Sequence, residues 1–333
     1  MSNTILVLGA GSWGTALAIQ LAQNKSNKVL LWSWKEEHCN QMLSEKQNSQ
    51  FLPECYFPEN LEVISQWQKV INKVDNILIG VPSSAFESTI KDIAPHIKNQ
   101  GIIWATKGFC HDSYKFLHEI AAEYVTSEVP LAIITGPSFA KEVASQLPTA
   151  VVVAGISDEF NRKMQIAFTS NNFRVYTTND LIGAQVGGAL KNALAIATGI
   201  SDGLGFGANA RVGLITRGMV ELQKLGLALG AKSETLMGLS GLGDLVLTCT
   251  DNQSRNRQFG LQLGAGLSME EALISIGQVV EGIPTAKSIH YLAKEKNIDL
   301  PIVEQVYKVL FENLAPQEAV KNLMSRVPKS EQI

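Results

Sequence analysis

The chain has little that would tie it to nucleic acid, to a metal or to an oxidising compartment. Of its 333 residues, 28 are Lys or Arg and 31 are Asp or Glu, a net charge of −3. A protein whose main partner is a polyanion carries a basic excess or a basic stripe, and neither is present, so no nucleic-acid partner is expected. Charged residues make up only 18% and hydrophobic residues 45%, a balance that excludes wholesale disorder. Cysteine is sparse. Cys39, Cys55, Cys110 and Cys249 stand far apart, with no C-x-x-C and no His spacing of the zinc type, so no metal site is expected. Such thiols read as reduced packing residues of a cytoplasmic protein. The five histidines, His38, His96, His111, His118 and His290, fall in no triad or metal spacing. Met1-Ser2-Asn3-Thr4 puts no basic stretch ahead of a long apolar core, so export is not expected.

The stretch poorest in charge, Leu181 to Ser201, holds one ionised residue, Lys191. It is long enough to cross a bilayer, but Gly183, Gln185, Gly187, Gly188 and Asn192 argue for a buried core helix instead. No integral membrane segment is expected.

What is present is alternation. The length suits about two domains. Apolar runs at 4–8, 28–32, 76–81, 101–105, 131–135 and 149–154, separated by helical periodicity, read as strands of a buried parallel sheet. Right-handed crossovers then give a doubly wound α/β domain. After about Asn179 the strand-like runs stop. Helical patterns at 214–229, 268–276 and 284–296 take over. Fourteen of the 27 glycines fall between Gly183 and Gly243, against eight in the first 182 residues. Glycine inside helices costs stability relative to alanine, so at that density it serves close backbone approach. The expected domains are 1–179, of Rossmann type, and 180–333, all-helical. The tail after Val327 is expected to fray.

Gly9-Ala10-Gly11-Ser12-Trp13-Gly14 follows the first strand and opens a helix. In that context G-x-G-x-x-G is a dinucleotide signature. Gly9 allows the tight turn, Gly11 lets backbone approach a pyrophosphate, and Gly14 permits close helix–strand packing. Sites that prefer NAD place Asp or Glu about 20 residues on, at the end of the second strand. Here Ser33-Trp34-Lys35 stands there instead, with Glu36 and Glu37 after it. The absent strand-end acid removes a repulsion against a 2′-phosphate, and Trp34 is suited to stack on adenine. The expected cofactor is NADP or NAD, with NADPH favoured.

Further segments carry chemistry. Lys107 follows the fourth strand, at the edge where open α/β sheets bind ligands; a solvated lysine is the plain alternative. Gly136-Pro137-Ser138 predicts a tight turn ending at a helix N-cap or N1 position. Lys191, alone among apolar neighbours, loses ammonium solvation, which favours proton exchange. Asp244, isolated among glycine and apolar residues, is a plausible partner for it. Ser254-Arg255-Asn256 places a hydroxyl, a five-donor cation and an amide together, a set suited to a phosphate monoester. Arg257 reads as part of a solvated turn.

These strings carry a family resemblance. Residues 9–16, 104–108, 136–140, 188–192, 205–210, 241–245, 248–257 and 277–282 resemble the bacterial NAD(P)-dependent sn-glycerol-3-phosphate dehydrogenases, in order and across nearly the whole chain. The resemblance implies reversible reduction of dihydroxyacetone phosphate to sn-glycerol 3-phosphate, for phospholipid synthesis, by a homodimer. It implies Lys191 as proton donor and acceptor. Lys107, Gly136, Ser138, Asp244, Ser254, Arg255 and Asn256 are its implied substrate contacts. Its implied cofactor contacts are Ser12, Trp13, Trp34, Lys107, Ala140, Arg255, Val279 and Glu281. Asp244 either holds Lys191 or bonds a substrate hydroxyl. Two rivals remain from the residues alone: a dehydrogenase of hydroxy or sugar acids, which would need no phosphate, and a redox-sensing dinucleotide module, which would need no buried lysine.

Overall fold

A computed structural model describes residues 3–328 and 330; most of the tail expected to fray lies outside the described residues. The chain forms two compact units, Met1–Lys107 with Lys115–Leu181, and Gly108–Tyr114 with Ile182–Ile333.

The first unit is built on a sheet whose spatial order is β10-β9-β8-β7-β6-β1-β2-β5. Its strands are β1 (Asn3–Leu8), β2 (Asn27–Trp32), β5 (Leu61–Ile64), β6 (Asn76–Ile79), β7 (Gly101–Trp104), β8 (Leu131–Thr135), β9 (Thr149–Gly155) and β10 (Phe173–Thr178). A separate ribbon pairs β3 (Gln47–Asn48) with β4 (Leu52–Tyr56). Six helices accompany the strands: α1 (Ser12–Gln23), α2 (Glu36–Glu45), α3 (Ser83–Ile93), α4 (Leu117–Tyr124), α5 (Ala140–Ala144) and α6 (Asp158–Phe168). All six expected strands form. Ile77, Leu78 and Ile79, like Ile102, Ile103 and Trp104, are fully buried, as strands covered on both faces must be.

Strand order reverses between β1 and β6. β1 pairs with β2 on one side (Leu8↔Trp32) and with β6 on the other (Leu8↔Ile79). That switch point is where open α/β sheets bind ligands, outside the carboxyl ends of the strands. One detail departs from the all-parallel expectation. β9 runs antiparallel to β8 (Ile133↔Ala154), and β10 follows it in parallel. The β8–β9 connection contains only the five-residue α5, too short a helix to run back along the sheet and return the chain in parallel.

The second unit carries α7 (Leu181–Gly203), α8 (Gly207–Ala228), α9 (Ser233–Met237), α10 (Asp244–Thr250), α11 (Arg255–Gly264), α12 (Met269–Ile276), α13 (Gly282–Glu295), α14 (Pro301–Phe311) and α15 (Pro316–Met324). α7 is buried along nearly its whole length. Its glycines serve contact. A Cβ on Gly199 would meet the Arg257 carbonyl oxygen at 2.1 Å, and one on Gly260 would meet that of Ile196 at 2.1 Å. α7 and α11 therefore pack backbone against backbone, which side chains would prevent. Among the described residues, no helix is long and apolar enough to cross a membrane.

Candidate active site

In the first unit the expected residues gather at the carboxyl ends of the strands. Gly9, just past β1, has φ +113°, and a Cβ there would lie 2.9 Å from the Gly80 carbonyl beyond β6. A Cβ on Gly14 would lie 2.0 Å from the Gly9 oxygen, so the helix reaches the strand only because both residues are glycine. Gly11 caps α1 without a side-chain bond, and its missing Cβ would face open space. The first α1 bond runs from Thr15 N to Gly11 O at 2.9 Å, which leaves the earlier amides of Ser12, Trp13 and Gly14 outside the ladder. No acidic residue lies in that first turn. The Trp13 indole N–H is buried without a partner. An open cradle of donors at a helix N-terminus fits the pyrophosphate of a dinucleotide. Ser12 points its hydroxyl elsewhere, donating to the Phe51 carbonyl at 2.7 Å.

Trp34, past the end of β2, is 77% exposed, and Lys35 Nζ lies 4.9 Å from its ring centroid. A flat aromatic face and a cation thus stand together where the ribose would be read. Lys107 is half-buried beyond β7 and donates to the Gly136 carbonyl at 3.3 Å. Gly136 has φ +127°. Ser138 donates to the same carbonyl at 2.9 Å. It is not the expected cap: α5 starts at Ala140 with Phe139 as N-cap, because the Ser138 hydroxyl is spent on the turn. Ala140 packs against the core of this unit.

The second unit assembles a different cluster. Lys191 is 7% exposed and donates to Asp244 Oδ1 and, at 2.9 Å, to Thr248 Oγ1. Thr248 in turn donates to the Asp244 carbonyl at 2.6 Å. The i, i+4 spacing puts Asp244 and Thr248 on one face of α10. Glycine also brings this face to α7: a Cβ on Gly187 would lie 2.2 Å from the Ser240 carbonyl oxygen. A buried ammonium is thereby paired with a buried carboxylate, which offsets the desolvation of both. Cys249 beside them is fully buried, and burial pushes its thiol up to about 12, so it stays protonated and serves packing.

Ser254 is the N-cap of α11, its hydroxyl accepting from Arg257 N at 3.2 Å. Arg255 is exposed and donates to Gln278 Oε1 at 3.2 Å. Asn256 donates to Asn192 Oδ1 at 3.0 Å and accepts from Gly282 N at 2.8 Å. It therefore ties α11 to α7 and α13. Val279 is half exposed, and Glu281 is the N-cap of α13. Arg257 corrects the expectation of a solvated turn. It is buried, bonded to Asn252 and Asp202, and donates from Nε to the Cys249 carbonyl at 3.1 Å. Asp202 also pairs with Arg211 at 2.7 Å.

Sequence reasoning passed over Thr248 and Asn192. The signal for the first was its i, i+4 spacing from Asp244, and for the second its place beside Lys191. The hydrolase pattern G-x-S-x-G, which the sequence reading takes to be absent, is present as Gly199-Ile200-Ser201-Asp202-Gly203. It lies inside α7, where no strand–turn–helix elbow exposes a nucleophile.

Comparison with known proteins gives a consistent picture. Residues 4–161 match the family described as NAD-dependent glycerol-3-phosphate dehydrogenase N-terminus, and residues 180–321 match its C-terminus. The chain is 54% identical to glycerol-3-phosphate dehydrogenase [NAD(P)+] of Francisella tularensis subsp. novicida, over 99% of this chain and all of that one. A crystal structure of glycerol-3-phosphate dehydrogenase from Coxiella burnetii is similar with TM-score 0.94 and 47% identity, covering 98% of this chain and 99% of the other. The enzyme of that name from Plasmodium falciparum shares the fold, with TM-score 0.86 and 23% identity over 99% and 97%.

Proposed function

The chain belongs to the NAD-dependent glycerol-3-phosphate dehydrogenase family, and we infer from that membership that it reversibly reduces dihydroxyacetone phosphate to sn-glycerol 3-phosphate with NADPH or NADH. The observation that carries the inference is the buried Lys191–Asp244 pair, with Thr248 as the ammonium's second partner. When bound, the reduced nicotinamide supplies a hydride to the carbonyl carbon. That leaves an alkoxide oxygen that needs a proton and a positive charge. Lys191 Nζ delivers the proton, and in the reverse direction takes it from the alcohol. Asp244 and Thr248 hold the ammonium in one orientation, so Asp244 acts on Lys191 rather than on a substrate hydroxyl.

In this reading residues 1–179 hold the dinucleotide and residues 180–333 supply the acid. The α1 cradle at Gly9, Gly11, Ser12, Trp13 and Gly14 takes the pyrophosphate. Ala140, Val279 and Glu281 are further cofactor contacts. The substrate phosphate and hydroxyl groups are taken by Lys107, Gly136, Ser138, Ser254, Arg255 and Asn256. Lys107 and Arg255 serve the cofactor as well. Trp34 with Lys35 over its ring, and no acid at the end of β2, supports NADPH over NADH. The enzyme works in the cytoplasm as a homodimer and feeds phospholipid synthesis.

The test is oxidation of NADPH and of NADH, followed by absorbance, on adding dihydroxyacetone phosphate or its unphosphorylated analogue. Turnover should require the phosphate. Equal rates with dihydroxyacetone would refute the substrate assignment, and a strong preference for NADH would refute the cofactor preference.

A further inference from the structure

The dinucleotide cradle and the turn that reads the ribose are joined by a buried network of side chains that the reaction does not itself use. Asn48, fully buried in β3, donates through Nδ2 to the Ala10 carbonyl inside the glycine turn and to Thr15 Oγ1 of α1, both at 2.8 Å. Its Oδ1 accepts from Phe51 N at 3.2 Å and bonds His38 Nε2 at 2.9 Å. His38, buried in α2, bonds Ser33 Oγ through Nδ1 at 3.0 Å, and Ser33 is the first residue past β2. The polarity of this chain is fixed. A reversed Asn48 amide would turn its oxygen on the Ala10 carbonyl, so Oδ1 must face His38, and Nε2 must carry a proton. In the neutral ring Nδ1 is then an acceptor, and the Ser33 hydroxyl donates to it. Phe51 closes the strap: its ring meets the His38 ring edge-on at 5.3 Å, and its carbonyl holds Ser12.

We propose that His38 and Asn48 are positioning residues for the dinucleotide, locking the pyrophosphate turn at Ala10–Ser12 to the ribose-reading turn at Ser33–Lys35. The inference rests on the dehydrogenase reading above. Neither residue touches the cofactor. Each holds a turn that does, so their loss acts on nucleotide affinity and on the choice between a 2′-hydroxyl and a 2′-phosphate. The chemistry of Lys191 is untouched.

Wild-type, H38F, H38Q and S33A proteins are titrated calorimetrically with NADP+ and with NAD+, their melting temperatures are recorded, and KM for dihydroxyacetone phosphate is measured. Phe keeps the ring volume but makes neither bond; Gln keeps a donor able to reach Asn48. H38F should weaken NADP+ binding about tenfold, on the scale of two lost buried hydrogen bonds, and narrow the ratio of NAD+ to NADP+ dissociation constants. S33A should shift that ratio the same way by about threefold, and H38Q should recover most of the loss. KM for dihydroxyacetone phosphate should change less than about twofold in every variant. An unchanged ratio in both H38F and S33A overturns the proposal and leaves the dehydrogenase reading intact. Should H38F not fold, the S33A ratio decides alone. A wild-type chain that binds neither nucleotide overturns the functional reading and this inference with it.

Discussion

Replacing Lys191 by alanine separates chemistry from architecture, because the two consequences have different magnitudes and different readouts. The side chains of Lys191 and Asp244 are 8% and 1% exposed. Removing the ammonium strands a carboxylate that water cannot reach. Breaking a buried pair in this way costs about 3–5 kcal/mol. For a domain the size of the helical unit, that lowers the melting temperature by about 6 °C or more. Adding D244N removes the stranded charge, so K191A/D244N should recover much of the loss, and the double-mutant cycle isolates the pair. Catalysis should not recover. A positioned proton donor contributes about 10²- to 10⁴-fold, so kcat for dihydroxyacetone phosphate reduction should fall by about two orders of magnitude or more in both variants. The assay is NADPH oxidation at saturating substrate, at a temperature well below the variant's melting point. A folded K191A enzyme with kcat within about tenfold of wild type would refute the acid assignment. A rise in KM with kcat intact would make Lys191 a binding residue only.

Other substitutions read the rest of the site. R255A, at an exposed position, should raise KM for dihydroxyacetone phosphate with little change in kcat and within about 0.5 kcal/mol of wild-type stability. R257A should do the opposite, destabilising the fold by about 2 kcal/mol, because it removes buried bonds to Asp202, Asn252 and the Cys249 carbonyl, while Arg211 still pairs with Asp202; equal melting temperatures for the two variants would refute the distinction. Glu221 in α8 caps α14, accepting from Ile302 N at 2.6 Å and Val303 N at 3.2 Å, and burial pushes its carboxyl up to about 7. A raised carboxyl pKa means the folded chain binds the proton more tightly than the unfolded one. Glu221 therefore costs nothing below the unfolded value near 4.5, and its cost grows as pH rises to about 7, reaching about 3 kcal/mol. E221Q should flatten the melting temperature across that pH window; an unchanged slope would refute the buried-acid account.

The alternating apolar runs were legible because a strand buried on both faces needs nothing but apolar residues, and β1, β6 and β7 are such strands. The edge strand β5, Leu61-Glu62-Val63-Ile64, and β10, Phe173-Arg174-Val175-Tyr176, carry polar residues on an exposed face. Their short alternation does not stand out from a loop. The reversal of β9 was illegible for another reason. Strand direction depends on how far the connecting segment can travel, and composition is silent about that.

Charge behaved the same way at the site. A lone lysine among apolar residues is a local signal, since an unpaired buried charge is too costly to be incidental. Asp244 could be suggested as its partner on similar grounds. Arg257 was misread because its own neighbours, Asn256 and Gln258, are polar, while the carboxylate that buries it, Asp202, lies 55 positions away. Asn256 shows the limit from the other side. Its amide suits a phosphate, but part of its bonding capacity is committed to Asn192 and Gly282. Residue type states what a group is able to bind; only packing decides what it is already bonded to. N256D tests that division: an aspartate would still accept from Gly282 N but would set a carboxylate against Asn192 Oδ1, also an acceptor. The variant should lose both stability and substrate affinity, whereas a purely substrate-binding Asn256 would lose affinity alone.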